Sequence, residues 1–480
     1  MDWQKLMSGT RRKDLHGKVG QALNAGGDRT EIERDYDRVL FSTPVRRLAD
    51  KTQVFPLEKN DSVRTRLTHS HEVSNIARSI GVALSHRDAS PFSTEVLRRD
   101  LPAILATVGL AHDIGNPPFG HQGEYAIGDW FKIHSDQVFQ YLAEDTADLS
   151  DGEKERMKSD FTAFEGNAQA LRVLTKLQIM NDTFGLNLTC GALAALMKYP
   201  VTSEKRNKVN IATKKFGCFH SELDVVKDIW ENTGLSEGLR HPLTFLMEAS
   251  DDIAYSVLDV EDAVKKGLVS YRDLISYLEA SESGDKETDG VIEDVCNRAE
   301  KQHAKHKFAK LSPAEVNDLS TQMFRVFAIG AMVSSVIEAF LEQKVGIEAG
   351  TLKDDLIAAS SSALLCKKLK AFAFENAYKH RSVLELELEG HKVIHSIMDM
   401  LWPAIVSRGD PEEETKGHPG TPYEKYAYGR ISENYRRVFE SPNSELPLGY
   451  RRCQLLADMV SGMTDSFALS FEKELRDLRC

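Results

Sequence analysis

Residues of the kind that bind metal ions occur together in the segment GLAHDIGNPPFGH, where the adjacent His112 and Asp113 end an apolar stretch. His69 precedes a helical apolar pattern earlier in the chain, and Asp251 lies within the segment MEASDDIAY. Imidazole and carboxylate ligands suit Mn²⁺, Fe²⁺, Co²⁺ or Ni²⁺, and Mg²⁺ is compatible with the oxygen ligands. We therefore predict that these four side chains, contributed by three helices, enclose one divalent cation.

The adjacent pair of ligands requires a particular position in the fold. Neighbouring residues on a helix point about 100° apart, so His112 and Asp113 can reach one ion only where a helix end abuts the site. The Gly-Asn-Pro-Pro turn after them can bend the chain away. A lone buried histidine or aspartate is more often a hydrogen-bonded core residue or a cap, and this alternative stays open. An unpaired Asp251 in an apolar helix would be costly, which favours the metal interpretation.

An acid–base pair is predicted just beyond that turn. His121 and Glu124 are spaced i and i+3, so they share one face if the segment becomes helical at once. An imidazole held by a carboxylate can transfer a proton near neutral pH. We predict that His121 acts on the nucleophile or the leaving oxygen and that Glu124 orients it. The alternative is that Glu124 only stabilises the first turn of a helix through its dipole.

The elements that must position these residues are mostly helical. Val73, Ile76, Ile80 and Leu84 form one apolar helical face, and similar patterns recur in EGNAQALRVLTKLQIM, LTFLMEASDDIAYSVLDVEDAV and GHKVIHSIMDMLWPAIV. The predicted fold class is therefore all-α, a helical bundle with additional helices and at most a small β-hairpin. The best hairpin candidate is NKVNIATKKFGCFHS. Charged or Gly/Pro-rich stretches at 143–160, 280–290 and 407–422 are predicted to be surface loops within a single unit of residues 1–480.

Composition narrows the class of protein. The 480-residue chain has a net charge of −12, which disfavours nucleic-acid binding through bulk charge, although a local basic patch stays compatible with it. No uninterrupted apolar run reaches the roughly 18 residues of a membrane helix, and the first residues lack the apolar region of a secretory signal. The six scattered cysteines suit reduced thiols. We expect a cytoplasmic protein without membrane contact.

Longer motifs surround the candidate ligands. Their H…HD…D order resembles the HD-domain superfamily of metal-dependent phosphohydrolases. The motifs TPVRRLADKTQVFPLEKNDSVRTRLTHSHEV, HDIGNPPFGHQGE, FEGNAQALR, MEASDDIAYSVLDVEDAV and SGMTD closely resemble, in this order, the bacterial deoxyguanosine triphosphate triphosphohydrolases, or dGTPases. The resemblance implies hydrolysis of dGTP to deoxyguanosine and inorganic tripolyphosphate by attack of water at the α-phosphate. It also implies an HD core at about 60–265 and a C-terminal helical region at about 266–480 that contributes to base recognition and oligomer contacts.

The same resemblance implies a metal cofactor, Mg²⁺ or Mn²⁺, with Co²⁺, Fe²⁺ or Ni²⁺ as alternatives, bound by the four candidate ligands. It implies a homohexamer and names single-stranded DNA as a candidate regulator. An acidic protein must gather cations locally to hold a triphosphate. Arg66 lies one turn before His69, and its guanidinium fork suits phosphate oxygens. The remaining triphosphate contacts implied by the family are Asn167, Lys198, Tyr199 and Lys215, with Lys214 as the register alternative and a solvated surface role open for each lysine.

Sugar and base recognition are predicted from one helix face and from the resemblance. Asp251, Tyr255 and Asp259 are spaced i, i+4 and i+8, along one side of a helix. Tyr255 packed near C2′ would leave no room for a 2′-hydroxyl, whereas an ordinary core tyrosine is the alternative. A glutamate can accept from both N1–H and N2–H₂ of guanine. By resemblance, the remaining contacts are Gln53 and Asp259 on the 3′-hydroxyl, Val54 on the nucleoside and Glu387 on guanine, with Tyr378 in place of an aromatic residue of the family.

Two departures from the family pattern keep alternatives open. Lys416 is the nearest cation in a loop where the family carries a base-contacting arginine, which leaves a broad-specificity dNTP triphosphohydrolase or another HD-domain nucleotide phosphohydrolase as alternatives. His71 stands where relatives carry an apolar residue, and we predict that it is partly exposed and points away from the metal. Arg64 is predicted to lie at the surface or just behind the site. A nucleotide- or DNA-binding scaffold without turnover is the non-enzymatic alternative.

Overall fold

A computed structural model gives the fold and describes residues 1–17, 28–55, 57, 60–88, 90–92, 94–146, 149–178, 182–280, 285–308, 310–411, 419–442 and 444–479. The first helices in chain order are α1 (Trp3–Leu6), α2 (Arg12–Leu15), α3 (Glu31–Leu40), α4 (Thr43–Arg47), α5 (Arg66–Ser85), α6 (Glu95–Ala111), α7 (Gly120–Ile133), α8 (Ser135–Asp145), α9 (Asp151–Thr162), α10 (Gly166–Arg172), α11 (Cys190–Leu196) and α12 (Leu223–Thr233). The remaining helices are α13 (Pro242–Lys265), α14 (Tyr271–Glu279), α15 (Lys286–Phe308), α16 (Pro313–Glu342), α17 (Lys344–Ala349), α18 (Ala363–Ala373), α19 (Arg381–Ser407), α20 (Pro422–Gly429), α21 (Glu433–Phe439), α22 (Leu448–Ser461) and α23 (Asp465–Leu478).

The predicted all-α class is confirmed. Within the ranges given above the chain forms no β-strand, and the β pairing there consists of isolated bridges. The hairpin candidate at 207–221 forms successive turns instead. The Asn207 N–H donates to the Thr213 carbonyl at 2.7 Å, and such local bonds use backbone groups that a hairpin ladder would need.

The prediction of a surface loop at 143–160 is wrong in large part. In the stretch 143–160, α8 continues to Asp145 and α9 begins at Asp151. Ser150 and Glu153 form a capping box, and Met157 and Phe161 are buried on one face of α9. The high charge of this stretch therefore belongs to the solvent side of a helix. In the stretch 280–290, α15 begins at Lys286. The third stretch contains Lys416, which lies outside the described residues.

Helices α5 and α6 form the centre of the bundle, and α13 packs against both. The predicted apolar face of α5 is buried. The two helices run antiparallel and come very close at Gly109, where an added Cβ would lie 2.8 Å from the Ser74 Cα atom. This contact lies a few residues from His69 on α5 and from His112 at the end of α6. The close approach therefore brings the first two candidate ligands to one end of the helix pair.

Further helices cover this centre and share its core. One cluster of buried apolar side chains includes Trp3, Phe131 and Leu475, so it reaches from the first helix to the last. By length and composition, helix α16 could cross a membrane. One such helix is only weak evidence for a membrane span, because buried core helices pass the same test. One face of α16 is buried, and the helix packs against α13 and α15. Helix α19 packs against α7, α22 and α23.

Candidate active site

Three of the predicted metal ligands lie within ligand distance of one another. The His69 Nε2 atom lies 3.2 Å from Asp251 Oδ1, and the His112 Nε2 atom lies 3.5 Å from the same oxygen. The two imidazole centroids are 5.5 Å apart. The candidate ligand atoms of these residues all lie within 4.8 Å of one another, as residues that hold one metal ion must.

Asp113, the fourth predicted ligand, lies beside this group at the end of α6 but outside the set whose ligand atoms are all within 4.8 Å of one another. Its Oδ1 lies 3.4 Å from His112 Nε2 and accepts a hydrogen bond from Asn116 Nδ2 at 2.6 Å. Its Oδ2 accepts from Arg66 Nη1 at 2.5 Å. Helix α6 ends at Ala111 and His112 is its C-cap, so the adjacent pair occupies a helix terminus, as the sequence predicted.

The donor set fits a divalent cation. His112 donates through Nδ1 to the Gly109 carbonyl at 2.7 Å, which leaves Nε2 as the acceptor nitrogen. That Nε2 atom is buried, makes no hydrogen bond of good geometry with the described residues, and faces the two carboxylates. Burial opposes protonation, yet the charges of Asp113 and Asp251 raise the pKa of His112 to about 9. The site therefore stabilises positive charge at the point where an ion would bind.

The carboxylates respond in the opposite direction. Burial would raise the pKa of Asp113, but His112 and Arg66 hold it well below its usual range. The charges of His112 and Lys198 likewise lower the pKa of Asp251 against the effect of burial. Both aspartates are therefore ionised at neutral pH, which is the form that binds a cation.

The predicted acid–base pair lies on the first turns of α7. The His121 Nδ1 atom lies 3.2 Å from Glu124 Oε2, and the other oxygen of Glu124 accepts from the Gly166 N–H at 2.7 Å. The His121 side chain is 78% exposed, whereas Glu124 is buried. Burial opposes ionisation, but the hydrogen bond from His121 and the charge of Lys215 lower the pKa of Glu124. A fixed carboxylate thus holds an imidazole that solvent and ligands can reach.

Two lysines lie beside the candidate ligands and the acid–base pair, Lys198 at the first and Lys215 at the second. The Lys198 Nζ atom lies 3.3 Å from Asp251 Oδ2. The Lys215 Nζ atom lies 2.8 Å from Glu165 Oε1 and 3.8 Å from Glu124 Oε2. Asn167 donates to the same Glu165 oxygen at 2.8 Å. Lys198 therefore lies beside the metal group, and Lys215 and Asn167 lie beside the acid–base pair.

Arg66 and Tyr199 occupy supporting positions in the same region. The Arg66 Nε atom is buried without a hydrogen-bond partner among the described residues, so a donor remains for an anion. The buried Tyr199 ring lies under the Arg240 guanidinium at 5.4 Å and under the Lys214 Nζ atom at 5.9 Å. Lys214 therefore stacks on an aromatic ring, whereas Lys215 pairs with the carboxylates beside the acid–base pair.

A second group of predicted residues lies further along α13. The Tyr255 and Tyr378 rings stack with centroids 5.9 Å apart, and the Tyr378 hydroxyl donates to Asp259 Oδ2. Burial raises the pKa of Asp259, and its other oxygen is buried without a hydrogen bond to the described residues. The Gln53 Oε1 atom is likewise buried without such a partner. Two acceptors are therefore available to a ligand that donates hydroxyl hydrogens.

Apolar contacts link this group to α19. Val54 packs in a small buried cluster with Ala377 and Val383, and Tyr378 packs against the same cluster. Glu387 is half-buried one helical turn after Val383, and burial raises its pKa. The family resemblance implied that Val54 packs on the nucleoside and that Glu387 contacts guanine, and the fold brings their segments together at the start of α19.

Several residues that support the site carried no clear sequence signal. Asn116 orients Asp113, and Glu165 holds Lys215 together with Asn167. Lys51 is buried and donates to the carbonyls of Asn116 and Ser461 at 2.6 and 2.8 Å, and burial lowers its pKa to about 7. Of these contacts, only that between Asp113 and Asn116 could have been found from the sequence, because the two residues are three positions apart.

Asp465, the last residue of the motif SGMTD, supports the site from α23. Its oxygens accept from the backbone N–H groups of Phe119 and Thr52, both at 2.9 Å. Phe119 is the N-cap of α7 and has a left-handed backbone with φ of 61°. The carboxylate therefore fixes the start of the helix that carries His121 and the segment before Gln53.

Two further predictions concern residues beside the ligands. His71 is exposed, as predicted. The surface position considered for Arg64 is wrong, because its side chain is 8% exposed and pairs with Glu72, Glu261 and Asp262. These pairs attach the segment before α5 to the end of α13, so Arg64 lies behind the site.

Comparison with known proteins identifies the family of the chain. Residues 66–160 match the HD domain family. A deoxyguanosinetriphosphate triphosphohydrolase-like protein of Listeria monocytogenes is 36% identical over 486 residues, which cover 100% of both chains. A protein of the same description from Pseudomonas aeruginosa is 32% identical and covers 99% of this chain and 98% of its own. The deoxyguanosinetriphosphate triphosphohydrolase of Salmonella paratyphi A is 33% identical, with 91% and 92% covered. The resemblance found in the sequence is confirmed: the chain belongs to the deoxyguanosinetriphosphate triphosphohydrolase family and is an HD-domain phosphohydrolase.

Proposed function

We propose that the protein hydrolyses dGTP to deoxyguanosine and inorganic tripolyphosphate, with a divalent cation bound by His69, His112, Asp113 and Asp251. The observation that carries this proposal is the position of Asp251, which lies within reach of both imidazoles and of Lys198. One carboxylate thus joins a metal group to a phosphate-binding cation. A cation held there would supply Lewis acidity toward a phosphate oxygen.

The residues of the chain then divide the remaining work. Lys198, Lys215 and Arg66 bind the triphosphate charge, with Asn167 and Tyr199 as further contacts. His121 moves a proton at the nucleophile or the 5′-oxygen, and Glu124 holds its imidazole in place. Because Glu124 is buried and bonded to the Gly166 backbone, its oxygens stay fixed while the exposed His121 meets the substrate.

Nucleoside recognition is assigned to the group around Tyr255 and Tyr378. Asp259 and Gln53 bind the 3′-hydroxyl, and the unpartnered buried oxygen of each residue makes an acceptor available for the single hydroxyl hydrogen. We assign exclusion of a 2′-hydroxyl to the Tyr255 ring, and its stacking on Tyr378, which holds the ring in one position, supports this role. Val54 packs on the nucleoside, and Glu387 accepts from guanine. Glu387 is only half-buried, and this observation favours broad-specificity dNTP hydrolysis as the second candidate.

A substrate panel tests the proposal. The full-length protein is incubated with each of four dNTPs and GTP, with Mg²⁺ or Mn²⁺, and the products are separated by ion chromatography. We expect dGTP to give deoxyguanosine and tripolyphosphate in equal amounts. Release of orthophosphate, or of pyrophosphate together with dGMP, would contradict departure of the 5′-oxygen from the α-phosphate, and equal turnover of all four dNTPs would select the broad-specificity candidate. Tyr255→Ala is expected to raise GTP turnover relative to dGTP.

A histidine pair provides the matched control for catalysis. His121→Ala should lower kcat by about 10²–10⁴-fold while nucleotide binding survives, because it removes proton transfer. His71→Gln changes an exposed histidine on α5 and should leave kcat unchanged. Unchanged turnover in His121→Ala would reject the assignment, and nucleotide binding without turnover in the wild type would favour a scaffold.

Three further expectations stay predictions: the hexamer, the single-stranded DNA regulator and the cytoplasmic location. Sedimentation of the active enzyme tests the hexamer.

A further inference from the structure

A second group of metal-type ligands lies between α7 and α19, apart from the candidate active site. Asp129 Oδ2 lies 3.6 Å from His391 Nε2 and 3.7 Å from His395 Nε2. The ligand atoms of these residues all lie within 4.8 Å of one another. We refer to Asp129, His391 and His395 as the α7–α19 cluster.

The geometry of this cluster differs from that of a hydrogen-bonded ion pair. Both nitrogen–oxygen distances exceed the 2.7–3.2 Å of a typical N–H···O bond. Two ligands bound to one Zn²⁺ at about 2.0–2.1 Å with tetrahedral angles are separated by about 3.4 Å. The observed nitrogen–oxygen separations are therefore close to the separation of two atoms bound to one ion. A shift of a few tenths of an ångström would bring the three ligand atoms to that separation.

The two histidines are held in parallel on one helix face. His391 and His395 are spaced i and i+4 on α19, and their rings stack with centroids 4.3 Å apart. The Nε2 atom of His395 is buried and has no hydrogen-bond partner among the described residues. A buried nitrogen normally has a hydrogen-bond partner, and neither Asp129 nor His391 supplies one to His395 Nε2.

The cluster is partly open to solvent. The side chains of the cluster are 18–29% exposed, so a cation can enter from solvent. Asp399, one turn after His395, accepts from Trp130 Nε1 at 2.7 Å and lies 3.5 Å from His134 Nε2. Asp399 already has these partners, so the open coordination positions fall to water.

We infer that the α7–α19 cluster is a second divalent-metal site, of the class that takes Zn²⁺ and related borderline cations, and that the ion links α7 to α19. Two imidazoles and one carboxylate suit these cations better than Mg²⁺ or Ca²⁺, which prefer oxygen ligands. Asp129 lies five residues after Glu124, about 7.5 Å along the same helix, so the ion would stabilise the helix that carries the acid–base pair. This inference does not depend on the proposed substrate.

Zinc binding to the full-length protein tests the site directly. Metal-stripped protein is equilibrated with Zn²⁺ alone, and bound zinc per chain is measured by elemental analysis after gel filtration. The double variant His391→Gln/His395→Gln should bind one equivalent less than the wild type. His71→Gln, an exposed histidine on α5, should bind as much as the wild type. Equal zinc content in the double variant and the wild type would overturn the inference.

A second set of variants separates metal binding from misfolding. Asp129→Asn keeps the size of the side chain but removes its charge, and it should also lose the equivalent. Asp129→His restores a ligand and should retain it. Zn²⁺ should raise the thermal midpoint of the wild type and of Asp129→His more than that of Asp129→Asn, at matched helical circular dichroism. The same rise in all three proteins would contradict a metal link between α7 and α19.

Discussion

Asp251 uses its two oxygens for different partners. Oδ1 lies near both imidazoles, and Oδ2 lies near the Lys198 ammonium. A bound cation and a phosphate-binding lysine would therefore be held at a fixed separation by one side chain. Lys198 is half-buried, and the charges of Asp251 and Glu248 raise its pKa against the effect of burial. The lysine stays charged at neutral pH and can meet an anion without a change in protonation.

Lys215 and Lys214 give a prediction at the residue scale. Lys215→Ala should lower kcat/KM for dGTP by about 10–100-fold, because it removes a charge-assisted contact worth about 1.5–3 kcal/mol. Lys214→Ala removes a cation that stacks on Tyr199 and should change kcat/KM by less than about threefold. Steady-state kinetics of both variants checks this. A larger loss in Lys214→Ala would exchange the assigned roles.

At this scale the sequence predicted ligand types better than ligand partners. Metal and acid–base chemistry restrict the usable residues, so the four metal candidates and the pair His121 and Glu124 could be found from type and spacing. Glu165 lies 50 residues from Lys215 in the chain, and nothing local indicates that they meet. Asp465 is likewise far from Phe119 and Thr52. Such contacts follow from tertiary packing, which one sequence does not reveal.

At the element scale, α7 and α19 meet at Gly390. An added Cβ at Gly390 would lie 2.5 Å from the Phe119 ring, so Gly390→Ala must displace the N-cap of α7. We expect a loss of about 1–3 kcal/mol in the free energy of unfolding and a lower kcat, because His121 follows Phe119 by two residues. Chemical denaturation and kinetics measure both quantities.

A glycine in open space controls for helix propensity. Gly330 lies in α16 with no atom within 4 Å of an added Cβ among the described residues. Gly330→Ala should be neutral or stabilise the protein by up to about 1 kcal/mol. If Gly390→Ala proved as stable as Gly330→Ala, the tight contact between α7 and α19 would be wrong.

Helices α9 and α22 meet at a buried carboxyl group. Asp160 accepts from the His220 N–H and the Tyr450 hydroxyl, each at 2.7 Å, and burial raises its pKa to about 7. Because the folded state keeps this proton longer than the unfolded state, stability should fall as pH rises from about 4 to 7. The expected slope is about 1.4 kcal/mol per pH unit, with no further loss above the folded pKa.

The variant Asp160→Asn isolates this contribution. An amide keeps an acceptor oxygen for both donors and does not ionise. Urea unfolding at about pH 5 and pH 7 should show that the wild type loses about 2 kcal/mol relative to the variant, because the loss flattens as the pH approaches the folded pKa. Parallel pH profiles for the two proteins would mean that Asp160 has an ordinary pKa.

Helices were predictable where apolar periodicity was strong. The patterns around His69, before His112 and around Asp251 correspond to α5, α6 and α13. Helix α9 was missed because its charged residues outnumber its buried ones, and only its capping box and the buried Met157 and Phe161 distinguish it from a loop. The segment 207–221, where a hairpin was predicted, forms local turns instead, closed by backbone bonds such as that from the Asn207 N–H to the Thr213 carbonyl.

At the scale of the whole molecule, helices that lie outside the predicted HD core cover the helices of that core. Helices α16 and α18 pack on α13, and α19 packs on α7. We expect a fragment of residues 60–265 to lack cooperative thermal unfolding, because these contacts leave large apolar faces exposed. Circular dichroism melts of the fragment and the full chain test this. A sharp transition in the fragment would establish an independent core and support the predicted boundary.

Asp465 has a consequence for how the enzyme is made. Its carboxylate accepts from Thr52 and Phe119, which the ribosome adds hundreds of residues earlier. Synthesis proceeds from the N-terminus at about 5–20 residues per second, so all the candidate ligands emerge well before the carboxylate that anchors their neighbours. A nascent chain therefore lacks the contacts that fix the start of α7 and the segment before Gln53 until synthesis has reached the last helix.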